Sequence, residues 1–501
     1  MNDVGKSFGL LLARYRGDAG LTQQELAERA GLGVRTIGAL ERSERAAPHR
    51  STLRRLAQAL GLPRSDWQNF ISVGAGPTPA PPPASQVTSA LAAQAAERVG
   101  RALHQTGAST DALREFELAR RMHRQLGNHD GLARLHGRIA QVLVDTGRFG
   151  PALAEVLEAP TGSRITPRTQ MLLAMVAARA LELHGQPLDG LTHADRAVAL
   201  AHSINDDHQL AAAYVRRGSL AVQAGLLDNA ATDFEAAGRL ASQSGDLVRT
   251  VQADLGRATV ALQRGPLDTA RLCAERALAG AEQLGDVLRM VAAGTYAASI
   301  AREQDDAAGS RQLAALAAVP CRGVSLVQNL HAQIVLALLD LDAGATAAAR
   351  GRLEPIVDPA QTLLDASSRR EALMLLATAD LLDGNLSGAV RRLEDADVLT
   401  VSPAFQIPDT IKMVVDILVA QGRADSALAT AESMVVRADT SGSVLHRLEA
   451  LRAVSVAARA LGRPAQAAAA IAQSRHLAAA HGFLLRERLL RQPPGAKPTD
   501  Q

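Results

Sequence analysis

Apolar residues recur every three to four positions through most of this chain, the period of an amphipathic helix. LAAAYVRRGSLAVQAG (210–225) is one such block and LLDNAATDFEAAGRLASQSGD (226–246) is the next. Glycine punctuates the blocks at 107, 147, 185, 225, 265, 344, 384, 422 and 462, in steps near 40. One step spans two periods and puts Gln304 where a glycine is missing. Five residues after most of these glycines stands alanine, at 112, 152, 230, 270, 349, 389, 427 and 467; the unit of Gly185 has Gly190 instead. A second small residue follows further on, as at Ala119, Ala197, Ala237, Ala277 and Ala396. A glycine ends a helix cheaply in the left-handed conformation, and small residues let the next helix return close beside the first. The pattern predicts ten helical hairpins over about 88–480, none able to bury its apolar face alone, so that they must stack.

The first seventy residues follow another plan. FGLLLARYRGDAG predicts a helix. Thr22 and Glu25 form a T-x-x-E capping box for a second, with Leu26, Ala27 and Ala30 as its apolar face. Gly31 suits a sharp turn; Gly33 or Val34 opens a third helix with Ile37 and Leu40 facing inward. RSTLRRLAQALGL and PRSDWQNFI supply a fourth and a short fifth. The prolines at 77, 79, 81, 82 and 83 then rule out a continuing helix and read as a spacer. The predicted organisation is a helix-turn-helix domain (1–71), a Pro-rich linker (72–87), a repeat domain (88–490) and a disordered tail (491–501).

Composition agrees with an all-α chain. Aromatics make up 2% of the residues and the hydrophobic class 47%, so the core must be aliphatic, which suits close-packed helices better than strands. The net charge is only +3, but residues 1–71 hold eleven Arg or Lys against seven Asp or Glu, so the basic excess lies entirely there. Cys273 and Cys321 are far apart and read as buried core residues of a reducing compartment. No signal-peptide layout and no membrane-length apolar run is seen, and a cytoplasmic protein is expected.

LTQQELAERAGL, ALERS and STLRRLAQALGL together resemble the lambda-repressor-like (XRE, Cro/CI-type) helix-turn-helix domain. That resemblance implies a five-helix domain binding double-stranded DNA, with Gln23 on a phosphate and the third helix in the major groove. Its outward face is read as Val34, Arg35, Thr36, Gly38, Ala39 and Arg42. Arg35 has the fork that pairs with guanine O6 and N7, Val34 suits a thymine methyl, and Thr36 offers a methyl or a hydroxyl. Arg42, Arg45, Arg50 and Arg54 are expected as phosphate clamps, which give affinity without sequence information.

The repeat spacing resembles the tetratricopeptide (TPR) repeat, most closely at Gly225, Ala230, Phe234 and Ala237 and at Gly107, Ala112, Phe116 and Ala119. The longer period and the loss of most motif aromatics make it TPR-like. The predicted fold is thus a DNA-binding domain followed by an α-solenoid of about ten hairpins. TPR offsets place Arg134, Gln141, Arg179, Arg216, Ser219, Gln223, Gln252, Thr259, His331, Lys412 and Asp416 on a concave groove, with Asn329 and Gln333 nearby. Amides there could pair with a peptide backbone and arginines with a carboxylate. The domain order resembles peptide-pheromone-controlled and actinobacterial regulators. It implies a homodimer whose repeats sense a peptide, small molecule or protein; a cytosolic TPR scaffold with a vestigial DNA-binding domain is the alternative.

No catalytic constellation emerges. VGKS (4–7) imitates the end of a phosphate-binding loop but lacks the glycine before it and a preceding strand. His123, His129 and His136 lack metal-ligand spacing and read as ordinary surface histidines. No cofactor, metal or membrane partner is expected, and no enzyme activity.

Overall fold

The structure is a computed structural model. It describes residues 3–42, 50–63, 84–319, 326–358, 366–397 and 407–491, with residues 44, 48, 66, 67, 70, 71 and 73. These residues are helices and connections, with no strand among them. Two compact units result, residues 1–88 and 89–501.

In the first unit, α1 (Asp3–Asp18), α2 (Gln23–Ala30), α3 (Val34–Glu41) and α4 (Arg50–Ala59) surround a core of Phe8, Leu12, Leu26, Ile37, Leu53 and Leu56. Phe70 closes it, with its ring 5.3 Å from Phe8 and 5.8 Å from Tyr15. The expected capping box is formed: the Thr22 hydroxyl accepts from the Glu25 amide, and the Glu25 carboxylate accepts from the Thr22 amide. Gly31 ends α2 at φ 59°, a conformation that costs a side-chain-bearing residue energy.

Among the described residues the second unit holds ten hairpins. Its first helices are α5 (Ala84–Gln105), α7 (His129–Asp145), α9 (Pro167–Leu183), α11 (Asp207–Gln223), α13 (Leu247–Arg264), α15 (Val287–Glu303), α17 (Leu326–Asp342), α19 (Ala366–Leu382), α21 (Asp409–Ala420) and α23 (Val444–Ala460). Their partners are α6 (Ser109–Gln125), α8 (Phe149–Glu158), α10 (Pro187–Ile204), α12 (Leu227–Ser244), α14 (Leu267–Leu284), α16 (Ala307–Ala317), α18 (Thr346–Val357), α20 (Leu386–Asp397), α22 (Ala424–Ser441) and α24 (Pro464–His481). A single helix, α25 (Leu484–Arg491), follows. Helix α5 begins at Ala84, inside the segment read as linker.

Every one of the repeated alanines is buried, from Ala112 to Ala467, because these are the points of closest helix approach. Where the motif aromatic survives, glycines make room for it. The Phe234 ring lies where a Cβ on Gly218 or Gly256 would stand, and Phe116 does the same at Gly100. Gly190 replaces alanine because Leu220 occupies that space.

Several expectations are corrected. The missing glycine is replaced by Asp305 and not Gln304: Asp305 takes the left-handed conformation at φ 64°, while Gln304 stays right-handed. Aspartate tolerates that region better than most residues. His123 and His136 are buried and not surface residues. The His123 ring packs on Gly131, and Nδ1 of His136 lies 2.7 Å from Glu155. Cys273 is buried as expected; Cys321 lies outside the described residues.

The largest difference concerns how the stack ends. A solenoid built from neighbour contacts alone would stay open. Here the last units return to the middle of the array, as α23 packs on α13 and α25 on α15. Leu267 shares an apolar cluster with Leu445, Leu448, Ala478 and Phe483. At its edge Arg488 donates to Asp305, the residue that replaced the repeat glycine.

Candidate functional site

Two places bring functional side chains together, one in each unit. In the first, the N-terminus of α3 is presented to solvent: Val34 is 45% exposed and Arg35 is exposed, with Thr36 half-buried beside them. Gly38 does not belong to that open face. It is buried, and a Cβ there would stand 3.0 Å from an Arg42 guanidinium nitrogen and 3.4 Å from the Gln23 amide oxygen. Its bareness lets those two side chains lie across the helix. Gln23 donates to Glu41 at 2.7 Å, and Arg42 makes two bonds to Glu44 at 2.7 and 3.0 Å. Arg54 is exposed; Arg45 lies outside the described residues, as does the side chain of Arg50.

Sequence reasoning missed the supports of this face. Arg16 on α1 binds Glu41 through Nε at 2.6 Å and reaches the Leu21 carbonyl at 2.8 Å, which ties α1 to the end of α3. Its hydrogen bonds to Glu41 hold the guanidinium pKa above the ordinary value. Arg55 donates to the carbonyls of Ala30 and Gly31 and so caps α2 at the turn. Bonds to terminal carbonyls are a general role of arginine at helix C-termini, but one sequence does not say which arginine takes it.

In the second unit, the first-helix face begins as a run of arginines. Arg134 is held by Glu97 at 3.0 Å and by Asp130 at 3.0 Å. Arg179 and Arg216 share the buried Glu182. Burial works to raise the Glu182 pKa, yet the two arginines keep it below its ordinary value. Burial, with Arg179 and Arg249 nearby, pushes Arg216 down. Arg249 donates to Gln252 at 2.6 Å, Gln141 to Asp145 at 3.2 Å, and Ser219 to its own helix at 3.0 Å. Gln223 is half-buried. Gln333 is half-buried and accepts from Arg352 of the second helix of its hairpin at 3.1 Å. The side chain of Asn329 lies outside the described residues. Lys412 and Asp416 pair with each other at 2.5 Å.

Beyond this run the closure of the array makes a cavity of about 380 Å³. Its walls come from α13, α15, α17, α19, α21, α23 and α25. Of the predicted groove residues it takes Thr259 and His331. It adds Tyr296, Ser299, Glu303, Glu371, Asp409, His446 and Arg486, none of which the repeat pattern marks. At one side Arg486, 1% exposed, joins Glu303, Asp409 and Glu449, while Arg302 joins Glu303, Asp342 and Asp409. The partners stand up to 183 residues apart in the chain. Burial pushes the Glu303 carboxyl up and the Tyr296 hydroxyl up. Among the described residues no group of three or more His, Cys, Asp or Glu could hold a metal ion.

Residues 7–69 match the family model described as a helix-turn-helix domain. The chain carries a helix-turn-helix domain followed by a TPR-like repeat domain. The repeat domain is similar to a Rap protein solved in complex with competence and sporulation factor, at 12% identity and a TM-score of 0.52, over 80% of this chain and 99% of that one. That likeness concerns the fold. The Cut9–Hcn1 hetero-tetramer of the APC/C is similar at 12% identity and TM-score 0.40, over 97% and 96% of the two chains. A STAND-class signal transduction ATPase with a tetratricopeptide repeat sensor, from Pyrococcus horikoshii, gives 13% and 0.40, over 80% of this chain and 63% of that one. No curated protein matches this chain. Among its described residues, no helix is long and apolar enough to cross a membrane.

Proposed function

We propose that the protein is a cytoplasmic, sequence-specific transcriptional regulator that binds double-stranded DNA as a homodimer, and that its repeat domain senses a peptide, small molecule or protein. The observation that carries this reading is the helix-turn-helix match over 7–69, with the front of α3 turned to solvent at Val34 and Arg35. Arg35 reads a guanine edge, Val34 and Thr36 add short contacts, and Gln23, Arg42, Arg45, Arg50 and Arg54 bind phosphates. Gln23 and Arg42 exchange their carboxylate partners for phosphate on binding. With one reading arginine per domain, discrimination is modest, about 1–3 kcal/mol for a good bidentate contact. Two copies at half-sites about one helical turn apart supply the rest. A Rap protein of similar fold has been solved in complex with competence and sporulation factor, which supports a sensing role for the repeats.

The pairing of Gln23 with Glu41 and of Arg42 with Glu44 favours a second reading, a TPR-like scaffold whose first domain no longer binds DNA. Sequencing the genomic fragments that the full chain captures separates the two. The regulator enriches one motif with two-fold symmetry, its affinity falls steeply with salt, and Arg35→Ala loses the preference at one base pair of each half-site. A scaffold enriches none. Enrichment that Arg35→Ala leaves unchanged removes the assigned reading residue.

A further inference from the structure

The two ends of the repeat array are finished differently. At the C-terminal end, α23 and α25 fold back on the middle of the array. At the N-terminal end no hairpin precedes α5. Leu91, Ala95, Val99 and Ala102 recur on α5 at steps of four, four and three residues, and so share one stripe. All four are exposed, Leu91 at 61% and Val99 at 48%. One repeat on, at the 40-residue step from Gly107 to Gly147, their counterparts on α7 are Gly131, Leu135, Ile139 and Val142. These are buried, and the last three share a core with Ala112, Phe116 and Ala119 of α6. The stripe on α5 is therefore a stacking face with no layer upon it. Among the described residues no other first helix exposes two large apolar side chains. Repeat arrays usually end on a polar face.

No charge enters the stripe. The exposed polar residues Gln94, Arg98, Arg101 and Gln105 lie together on one side of it, and Glu97 is buried against Arg134. Along the stripe large and small residues alternate, from Leu91 through Ala95 and Val99 to Ala102. Read backwards, the order is small, large, small, large. An antiparallel copy of α5, turned about a two-fold axis near residue 97, sets Leu91 against Ala102 and Val99 against Ala95 of the other chain, so each large residue meets a small one. The end face of α5 and α6, about 30 Å by 20 Å from helix dimensions, offers roughly 600 Å² per partner. A standard specific interface takes about 800 Å² per partner, so a second copy is held with moderate affinity. We propose that the α5 stripe is the homodimer interface, each chain supplying to the other the layer that its own first hairpin lacks. This rests on the homodimer reading above and gives that dimer its surface. Since α5 is the first helix after the DNA-binding domain in the chain, joining there fixes the points from which the two DNA-binding domains are tethered.

Sedimentation equilibrium of the full chain without DNA, at concentrations up to about 100 μM, tests it. The unchanged chain forms two-chain particles. Salt does not disperse them, because the contact is apolar and the arginines that border it repel across the axis. Leu91→Glu with Val99→Glu weakens the dimer about a hundredfold or more. The circular dichroism of that variant is unchanged, since both side chains already stand in water. Under mild oxidation Ala95→Cys chains link to Val99→Cys chains, and neither variant links to itself. Two-chain particles that survive both glutamates, or self-linking of either single variant, overturn the proposed face and leave the homodimer reading standing. A chain that stays single at every concentration overturns both. Genomic capture judges the DNA reading separately, since no DNA is present here.

Discussion

Helices α5 to α12 and helices α13 to α25 are written in the same repeat, yet they are held in different ways. In the first group each helix packs on its neighbours in sequence, through buried alanines and through glycines that admit Phe116 and Phe234. In the second group the same neighbour packing is supplemented by contacts across the array, between α13 and α23 and between α15 and α25. Those contacts are polar at their centre. Arg302 and Arg486 are buried with four carboxylates, an arrangement that attraction within low dielectric must hold against the cost of removing charges from water. A repeat supplies stability in proportion to its length, whereas a closure supplies a unique end point and, with it, an enclosed space.

The sharpest way to break the contrast is Arg486→Ala. It leaves Glu303, Asp409 and Glu449 buried without their shared cation, and removing one partner of a buried pair costs about 3–5 kcal/mol. Denaturant unfolding of the variant is expected to split, with the closed half melting first; a single unshifted transition would mean that the two halves do not differ. Acid acts on the same point. Burial works to raise the Asp409 pKa, but Arg302 and Arg486 hold it well below the carboxylate range. A depressed pKa adds stability at neutral pH that is lost as the pH falls below the unfolded value of about 4. Glu303, pushed up, acts in the opposite sense. The denaturation midpoint is expected to drop on acidification, and Asp409→Asn to flatten that drop.

The neighbour packing that both groups share is tested at its glycines. Gly256→Ala puts a Cβ 2.2 Å from the Phe234 ring, and such overpacking costs about 1–3 kcal/mol. The smallest effect has the other sign. Gly351 on α18 is exposed with nothing near its missing Cβ, and Gly351→Ala is expected to raise stability by about 0.5–1 kcal/mol. If Gly256→Ala is neutral, the glycine–phenylalanine fit is not what sets the spacing of α11, α12 and α13.

Much of this was legible in the chain. Helix-turn-helix positions are local: Thr22 and Glu25 cap one turn, Gly31 permits one conformation, and Ile37 and Leu40 follow from the period of α3. The repeat is also local, since glycine, alanine and helix length state one hairpin and copy it ten times. The candidate sites were legible only in part. The exposure of Val34 and Arg35 on α3 follows from the helix period, but Gly38 does not share it, because a small residue reads alike whether open or covered by Gln23 and Arg42. Asp305 was missed for the same reason, as the left-handed turn accepts it without a glycine to mark it.

What the sequence alone determined is therefore the set of elements, their order and the face that each buries, all fixed by periods of three to forty residues. Tertiary structure alone decided where the array ends and what lies inside it. Arg486 reads as one arginine among many on a short C-terminal helix. Only the return of that helix to Glu303 makes it the largest fully buried side chain among the described residues. The reason is physical. A repeat records the angle between neighbours, and small angles accumulate over ten units into a position that no single unit encodes.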